Sequence, residues 1–418
     1  MSTNNKFTIK DAFFDVKVGN AEYSGNIPAP LNLTPAEIKE SRGDAFAVKY
    51  ENSLLSDYLS YVELLKKAGY KSVFENTLQN NYFNYLVYSD NVVYTYFLSN
   101  SKELRIIAEK NKEHTFTSDG KCVTEAAVFA SAISDRSFYV RLPDNTVVII
   151  DGGWREEDLR DLDNASLYLG FVNELKKITG SEIITVKAWF ITHPHDDHTT
   201  FLERAHEFGV EKYFDVHRII RNTPSNNDFP FCDRWCSDFT YHEKLEAIYK
   251  KWCGDNVINA RTGMHFSLSG VDFDIYMTPD DSPADRINAL SIIIMQSYNG
   301  RRILWTGDMT DPCGDRVIQL YGDMIKCDAV QVSHHGWGDG GSVDFYRTCQ
   351  APVQIWNNTE YGFKYHDPHQ GYGKTPNATE VYDLPEVKRH IFCGGIRMEK
   401  LSLVKEMYTD LENEFKIK

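Results

Sequence analysis

One segment, residues 191–198, constrains this chain more than any other, because three histidines and two aspartates fall within six consecutive residues of it. The cluster follows the apolar run at 183–190, whose β-branched and aromatic residues predict a buried strand. In an open α/β sheet, ligands bind at the C-terminal edge of the strands. Residues i and i+2 of an extended segment point to the same side, so we expect His193 and His195 to share one metal ion.

Asp197 and His198 come where the chain turns into the next helix, so we expect them to face a second point a short distance away. Imidazole and carboxylate ligands together suit zinc, manganese or iron(II) better than calcium or magnesium. The alternative is a polar loop that happens to be rich in histidine, and it needs a separate reason for each of these residues. The sequence therefore predicts two divalent metal ions, with zinc favoured and manganese or iron as alternatives.

The segment His193-Pro194-His195-Asp196-Asp197-His198 resembles the HxHxDH signature of the metallo-β-lactamase-fold hydrolases. Three further motifs agree with that family in order along the chain. They are the strand and Asp-Gly turn at 146–153, the strand that ends in Gly307-Asp308, and the strand that ends in His334-His335-Gly336. The resemblance spans roughly residues 120 to 400. It implies an α/β fold, a four-layer αββα sandwich, preceded here by a small N-terminal α+β domain.

The resemblance also implies four ligands for the second metal ion: Asp197, His198, the bridging Asp308, and one of His334 and His335. Of the last two we favour His334, because it comes first off its strand and Gly336 lets the backbone turn behind it. His335 is then expected to donate to the substrate or to orient another group. Asp196 or Asp197 is expected to orient the nucleophile or to accept a proton.

The first metal ion has His193, His195 and the bridging Asp308, but the histidine that the family usually adds is replaced by Asn288 and Ser291. This Asn-x-x-Ser pattern, like His-His-Gly, resembles the branch that includes the hydrolase domain of DNA-uptake competence proteins. An amide oxygen is a weaker zinc ligand than imidazole. We therefore expect partial occupancy of the first site, with Asn288 and Ser291 as weak ligands or substrate contacts.

The chain has 418 residues and a formal net charge of −15, with no basic run. Non-specific nucleic-acid binding depends on a basic surface, so we expect no extended surface of that kind, although a local basic groove is compatible with the total. The N-terminus lacks a signal pattern, and no apolar stretch reaches the length of a membrane span. The eight cysteines are scattered. These features predict a cytoplasmic protein with free thiols and no membrane contact.

Residues 1 to 45 are rich in Asn, Pro and Gly, which predicts an irregular lead-in. A helix over 54–68 is expected next, followed by three strands at 81–88, 92–98 and 104–108. The polar stretch 110–120 marks a boundary between an N-terminal domain (1–118) and a hydrolase domain (119–418). We expect the aromatic residues of the first domain to fill its packed face and a domain or homo-oligomer contact rather than to stack on a ligand.

Further elements are expected in the second half of the chain, with helices at 164–178, 199–209 and 241–252, and strands at 126–133, 138–142, 146–150, 213–220 and 266–277. The irregular segment 221–238 is long enough to cover the site, or it is an insertion without a role. By composition alone, four other histidines are alternative ligands: His217, His265, His366 and His369. Lone histidines are more often structural, however.

Two bridged metal ions acidify a bound water, so a metal-bound hydroxide is the expected nucleophile and no serine or cysteine is required. The resemblance favours a phosphodiester or phosphate ester, and the acidic net charge favours a small or short substrate. One alternative is hydrolysis of a carboxylic ester, lactone or thioester on the same centre. Another is a non-catalytic, metal-stabilised binding protein in which the N-terminal domain carries the function.

Overall fold

A computed structural model describes residues 6–10, 12–41, 44–110, 129–134, 137–153, 164–222, 239–283, 286–357 and 376–392. The helices in these stretches are α1 (Leu55–Lys67), α2 (Asn164–Thr179), α3 (Asp196–Arg204), α4 (Phe239–Cys253), α5 (Asp311–Tyr321), α6 (Val343–Cys349) and α7 (Pro376–Tyr382). No helix among the described residues is long and apolar enough to cross a membrane.

The N-terminal part holds two antiparallel sheets. The first is a three-stranded sheet of β1 (Lys6–Lys10), β2 (Phe13–Val18) and β3 (Ala21–Glu22). The second has the order β4-β5-β9-β8-β7-β6 and consists of β4 (Glu37–Glu40), β5 (Phe46–Tyr50), β6 (Lys71–Leu78), β7 (Asn81–Tyr88), β8 (Asn91–Leu98) and β9 (Glu103–Lys110). The predicted helix and its three following strands are confirmed as α1, β7, β8 and β9.

The irregular lead-in expected over residues 1 to 45 is wrong, because β1 to β4 lie there. Phe14, Val16 and Val18 alternate along β2 and are at most 1% exposed. This period-2 pattern is typical of a strand with one buried face. Asn, Gly and Pro are abundant around β2 because they form the turns between short strands. That composition led to the prediction of irregular structure in spite of the alternating pattern.

The part of the chain that follows β9 contains two seven-stranded sheets. The first consists of β10 (Phe129–Ser134), β11 (Ser137–Arg141), β12 (Val147–Ile150), β13 (Ile184–Ile191), β14 (Phe214–Val216), β15 (Ile219–Arg221) and β16 (Val257–Asn259). The second consists of β17 (His265–Leu268), β18 (Val271–Met277), β19 (Ile293–Tyr298), β20 (Arg301–Trp305), β21 (Ala329–Val332), β22 (Val353–Trp356) and β23 (Arg389–Phe392). Strand β13 lies between β12 and β15 and is parallel to both. Strands β20 to β23 are also parallel to one another.

The two seven-stranded sheets pack face to face, with helices on their outer sides. One buried cluster combines residues of the first sheet with residues of the second, among them Ile150, Ala188, Phe190, Phe273, Ile275 and Ile294. The opposite face of the first sheet packs against α2, α3 and α4 through residues such as Ile149, Trp189, Phe171, Phe201 and Leu245. Helices α5, α6 and α7 add Val317, Phe345 and Val381 to the shared core. The αββα sandwich expected from the sequence is therefore confirmed.

The six-stranded sheet is packed on both faces. One face forms a core with α1 and the three-stranded sheet, and the other adds Phe83 and Tyr96 to the core of the sandwich. Polar contacts reinforce this packing. The Arg261 guanidinium is fully buried and contacts Glu109 of β9 at 3.0 Å and Asp280 at 2.9 Å. The expected boundary between residues 118 and 119 lies outside the described residues.

Candidate metal centre

Strand β13 delivers the ligand cluster to the sheet edge. The strand ends at Ile191, and α3 begins at Asp196, so His193 and His195 lie on the short loop between them. Both side chains are buried, and His193 Nε2 lies 3.1 Å from His195 Nδ1. Two nitrogens bound to one tetrahedral zinc ion at about 2.0–2.1 Å lie roughly 3.3 Å apart. The pair thus has the spacing of two ligands of one ion.

Asp197 and His198 lie in the first turn of α3 and are each 1% exposed. Thr199 Oγ1 donates to His195 O at 3.1 Å, which ties the start of the helix to the ligand loop. His198 Nε2 lies 3.9 Å from Asp197 Oδ1, on the same side of the turn. Asp196 Oδ1 accepts a hydrogen bond from the Asp197 amide at 2.8 Å.

Asp308 joins the cluster from the second sheet. It follows β20 by way of Gly307, which has φ +54° and at which a Cβ would lie 2.7 Å from Thr192 Oγ1. Only glycine fits such a backbone next to the ligand loop. Asp308 Oδ2 lies 3.3 Å from His198 Nε2, 3.2 Å from His335 Nε2 and 3.8 Å from His193 Nε2. One carboxylate oxygen therefore faces three imidazoles, as a bridging ligand would.

The His-His-Gly turn after β21 places its two histidines in different surroundings. His335 Nε2 lies 3.4 Å from Asp197 Oδ2, so this ring faces the cluster. His334 turns away, because its Nε2 lies 2.9 Å from Asn288 Nδ2 and its Nδ1 lies 2.7 Å from Asp339 Oδ1. This geometry favours His335 over His334 as the ligand, the reverse of the preference drawn from the order of the residues along the chain.

The backbone explains why the order of residues misleads. His334 and His335 have φ of +49° and +55°, a left-handed conformation that non-glycine residues rarely adopt. Gly336 follows with φ +76°, and a Cβ there would lie 2.6 Å from the Trp356 ring. Three successive left-handed residues rotate the second histidine, rather than the first, toward the metal loop.

The donor set fits divalent metal ions. Two groups of side chains, one of His193, His198 and Asp308 and the other of Asp197, His198 and His335, each hold their ligand atoms within 4.8 Å of one another. His198 Nε2 and Asp308 Oδ1 are buried, and neither has a hydrogen-bond partner in the described part of the chain. Buried polar atoms are normally paired, so an ion at this place accounts for both.

Burial and neighbouring charge set the protonation of the cluster. Burial alone would raise the pKa of Asp308, but the adjacent His335 and His198 hold that pKa well below its usual range. Burial alone would lower the pKa of His198, but the surrounding carboxylates, Asp308 foremost, raise it well above its usual value. Desolvation lowers the pKa of His193 well below its usual value. The raised pKa of His198 favours its protonated form in the absence of metal, so a bound ion competes with that proton.

Asp151 is a functional residue that the sequence reasoning did not assign. It follows β12, and its carboxylate accepts hydrogen bonds from Thr192 N at 2.7 Å and Thr192 Oγ1 at 2.8 Å. Its Oδ2 also lies 2.8 Å from His198 Nδ1. A carboxylate in this position fixes the ring and its tautomer so that Nε2 faces the metal. The signal was an aspartate at the end of the strand next to the ligand strand.

Two other polar residues hold ligands in place. Ser291 is fully buried, accepts a hydrogen bond from the Asp308 amide at 3.0 Å and lies 3.4 Å from His193 Nδ1, contacts that help to orient both residues. Asn357 follows β22, and its Nδ2 lies 3.0 Å from His335 Nδ1. Sequence reasoning missed Asn357, although an asparagine directly after a buried parallel strand was a usable signal.

Among the alternative histidines, His217 pairs with Asp215 at 3.3 Å and His265 with Asp274 at 2.8 Å, both in structural contacts. His366, His369 and most of the segment 221–238 lie outside the described residues.

Comparisons with known proteins bear on the family. A model of the metallo-beta-lactamase superfamily matches residues 136–204, from β11 through the ligand loop to the end of α3. No curated protein matches the sequence.

Several solved structures resemble the chain at low sequence identity. The metallo-beta-lactamase fold protein YhfI from Bacillus subtilis is 10% identical, with 64% of this chain and 97% of that chain covered and a TM-score of 0.35. CmlA, a diiron β-hydroxylase from Streptomyces venezuelae, is 12% identical, with 73% and 52% covered and a TM-score of 0.34. Zn²⁺-bound PqqB from Methylobacterium extorquens is 12% identical, with 47% and 58% covered and a TM-score of 0.27.

The sequence match ends at Arg204, the last residue of the helix that carries Asp197 and His198, and the αββα fold surrounds the matched segment. The matched segment is thus similar to the metallo-beta-lactamase superfamily, and the fold around it is the one expected from that similarity.

Proposed function

We propose that this protein is a metal-dependent hydrolase whose nucleophile is a water acidified by two divalent metal ions, with zinc favoured. The observation that carries the proposal is the position of Asp308, whose Oδ2 lies within 3.8 Å of the Nε2 atoms of His193, His198 and His335. A buried carboxylate that faces three imidazoles is poorly explained by packing alone, since burying ionisable groups is costly unless they are paired or bind a metal.

The residues divide into two ligand sets that share Asp308. His193 and His195 would hold the first ion, and Asp197, His198 and His335 would hold the second. When bound, such ions lower the pKa of a water and neutralise charge that develops on oxygen. The chain itself orients the imidazoles through Asp151, Ser291 and Asn357. In this proposal, Asp197 also accepts a proton from the nucleophile.

A small or short phosphodiester or phosphate ester is the proposed substrate. The Asn-x-x-Ser pattern at Asn288 and Ser291 supports this choice through its resemblance to the competence-protein branch. The formal net charge of −15 supports a short substrate, since a long polyanion is repelled by such a surface. A metal centre also suits a phosphoryl group because two cations can stabilise the attacking and leaving oxygens together.

Hydrolysis of bis(p-nitrophenyl) phosphate tests the reaction, with a lactone reporter run in parallel. The variant is Asp308→Ala, and the control is Asp344→Ala, which removes an exposed carboxylate paired with Arg347. We expect phosphodiester turnover in wild type and in the control. In Asp308→Ala we expect the turnover rate to fall by at least about 100-fold, because Asp308 would hold the ions that acidify the nucleophilic water.

The other outcomes assign other functions. Faster turnover of the lactone than of the phosphodiester would contradict the proposed substrate and favour ester, lactone or thioester hydrolysis on the same centre. Bound metal without turnover of either reporter would contradict an enzymatic role and favour a metal-stabilised binding protein.

A further inference from the structure

We propose that Asp339 and His334 are positioning residues that turn the side-chain oxygen of Asn288 toward the first metal ion. This inference rests on the metal centre proposed above and gives a role to the histidine that faces away from it. Asn288 stands where the wider family usually has a ligand histidine, so its orientation decides whether the first ion has another oxygen donor.

A chain of hydrogen bonds runs from the surface to Asn288. Arg286 Nη1 donates to Asp339 Oδ2 at 2.5 Å. The other oxygen, Asp339 Oδ1, lies 2.7 Å from His334 Nδ1. His334 Nε2 in turn lies 2.9 Å from Asn288 Nδ2. The chain links the turn at Ile287–Leu290 with the loop that follows β21.

With a neutral His334 ring, the contacts permit one arrangement of donors and acceptors, in which Asn288 Nδ2 faces His334 Nε2. A carboxylate paired with a guanidinium is ionised and only accepts hydrogen bonds, so His334 Nδ1 must carry its proton toward Asp339. In the neutral imidazole, the other nitrogen, Nε2, is then an acceptor. The Asn288 amide must present its NH₂ group to that nitrogen. Its carbonyl oxygen therefore points away from His334.

That oxygen has no hydrogen-bond partner in the part of the chain that the structure describes. Asn288 is 6% exposed, and its Oδ1 is a buried atom with no hydrogen bond to any residue that the structure describes. The turn that carries Asn288 is fastened to the ligand loop, because Ile292 N donates to Thr192 O at 2.9 Å. A buried amide oxygen beside the ligand loop, held with its NH₂ group facing away, is suited to a cation.

The imidazole of His334 is itself held firmly. Its ring stacks on Trp337 with a centroid distance of 4.8 Å and an interplanar angle of 25°. The side chain is only 11% exposed. Because the ring has little freedom to turn, a change in its hydrogen bond to Asp339 is passed to Asn288 as a change of tautomer.

Asp339→Asn tests the inference with almost no change in shape. Arg286 carries only donors, so it should hold the oxygen of the new amide and leave the NH₂ group facing His334 Nδ1. His334 must then carry its proton on Nε2 and donate to Asn288, whose amide flips and presents NH₂ to the metal. We expect the affinity for the first zinc ion to fall by about 10- to 100-fold, with the second ion retained.

A second substitution provides the rescue. In the double variant Asp339→Asn/Asn288→Asp, residue 288 has two acceptor oxygens, so one faces the first ion whichever way His334 donates. We expect first-site affinity to return at least to the wild-type value. Asp344→Asn is the matched control, since it removes an exposed carboxylate on α6 and should leave both ions unchanged.

The measurement is zinc titration of the metal-free protein against a chromophoric chelator, with zinc per chain read by elemental analysis and folding checked by thermal unfolding. Selective loss of the first ion in Asp339→Asn, with rescue in the double variant, supports the inference. The inference would be overturned if Asp339→Asn keeps the wild-type zinc affinity, if it weakens both ions equally, or if the lost first ion is not rescued in the double variant. Each of these results leaves the proposed hydrolase standing. A wild type that binds no zinc would overturn both.

Discussion

His198 Nδ1 lies 2.8 Å from Oδ2 of Asp151, a residue at the end of the strand parallel to the ligand strand. The contact is almost completely buried, with side-chain exposures of 1% and 3%. It joins two adjacent strand ends and leaves His198 Nε2 to face Asp308 at 3.3 Å. The core of the first sheet thus sets the orientation of a metal ligand.

Asp151→Asn is expected to weaken both folding and metal binding. The amide would place an NH₂ group where the carboxylate accepts from Thr192 or His198, and an unpaired buried group costs about 1–3 kcal/mol. Second-ion affinity should fall by about 10- to 100-fold because the ring is no longer fixed. Denaturant unfolding of the metal-free protein and zinc titration measure the two effects. Unchanged zinc affinity would show that Asp151 only stabilises the fold.

Metal binding should release protons and strengthen as pH rises. The carboxylates around His198 raise its pKa well above the usual value, so the metal-free imidazole is protonated at neutral pH. Zinc needs the neutral ring, so apparent affinity should increase with pH up to that raised pKa and then level off. Calorimetric titrations in buffers of different ionisation enthalpy count the protons released. Binding that is independent of pH between 6 and 8 would contradict this assignment.

Arg261→Met is expected to destabilise the whole molecule by about 3–5 kcal/mol, because it leaves Glu109 and Asp280 as buried carboxylates without their cation. Since Glu109 belongs to the six-stranded sheet, the loss should affect the N-terminal part and the sandwich in one cooperative transition. Urea unfolding measures the loss of stability and shows whether the protein unfolds in one transition. Arg347→Met removes an exposed ion pair and should cost less than about 1 kcal/mol. A separate early transition of the N-terminal part would contradict the shared core.

Gly336→Ala should lower the free energy of unfolding by more than the strain of placing alanine in a left-handed backbone conformation. Gly336 and Gly300 have similar φ, +76° and +74°, but a Cβ at Gly336 would lie 2.6 Å from Trp356 while one at Gly300 meets nothing within 4 Å. Gly300→Ala therefore controls for the left-handed backbone. We expect Gly336→Ala to cost about 1–3 kcal/mol more in unfolding free energy, and to weaken zinc binding through His335. Equal effects of the two substitutions would show that the Trp356 contact is tolerated.

The ligand loop could be predicted because its residues are consecutive. A β-branched and aromatic run followed by alternating histidines specifies both the strand β13 and the side to which His193 and His195 turn. The strands β20 and β21 were predicted from their apolar runs, but the roles of Asp308 and the two later histidines were implied by the resemblance to the metallo-β-lactamase-fold hydrolases. The αββα sandwich was implied by the same resemblance.

Other features depend on contacts between distant residues. The choice between His334 and His335 is set by two left-handed backbone positions and by Asp339, which no local pattern reveals. Asp151 and Asn357 are ordinary strand-end residues until the parallel pairing brings them beside His198 and His335. The strands before residue 45 were hidden for a different reason, since each is short and the turns between them dominate the composition.

The most direct test of the account is the metal content of the purified protein after reconstitution with zinc, measured by elemental analysis for wild type and His335→Ala. With zinc in excess, which fills the weaker first site, we predict close to two ions per chain in wild type and about one in the variant, since His335 faces Asp197 and Asp308 in the second ligand set. No bound zinc in wild type, or two ions in both proteins, would contradict the proposed metal centre.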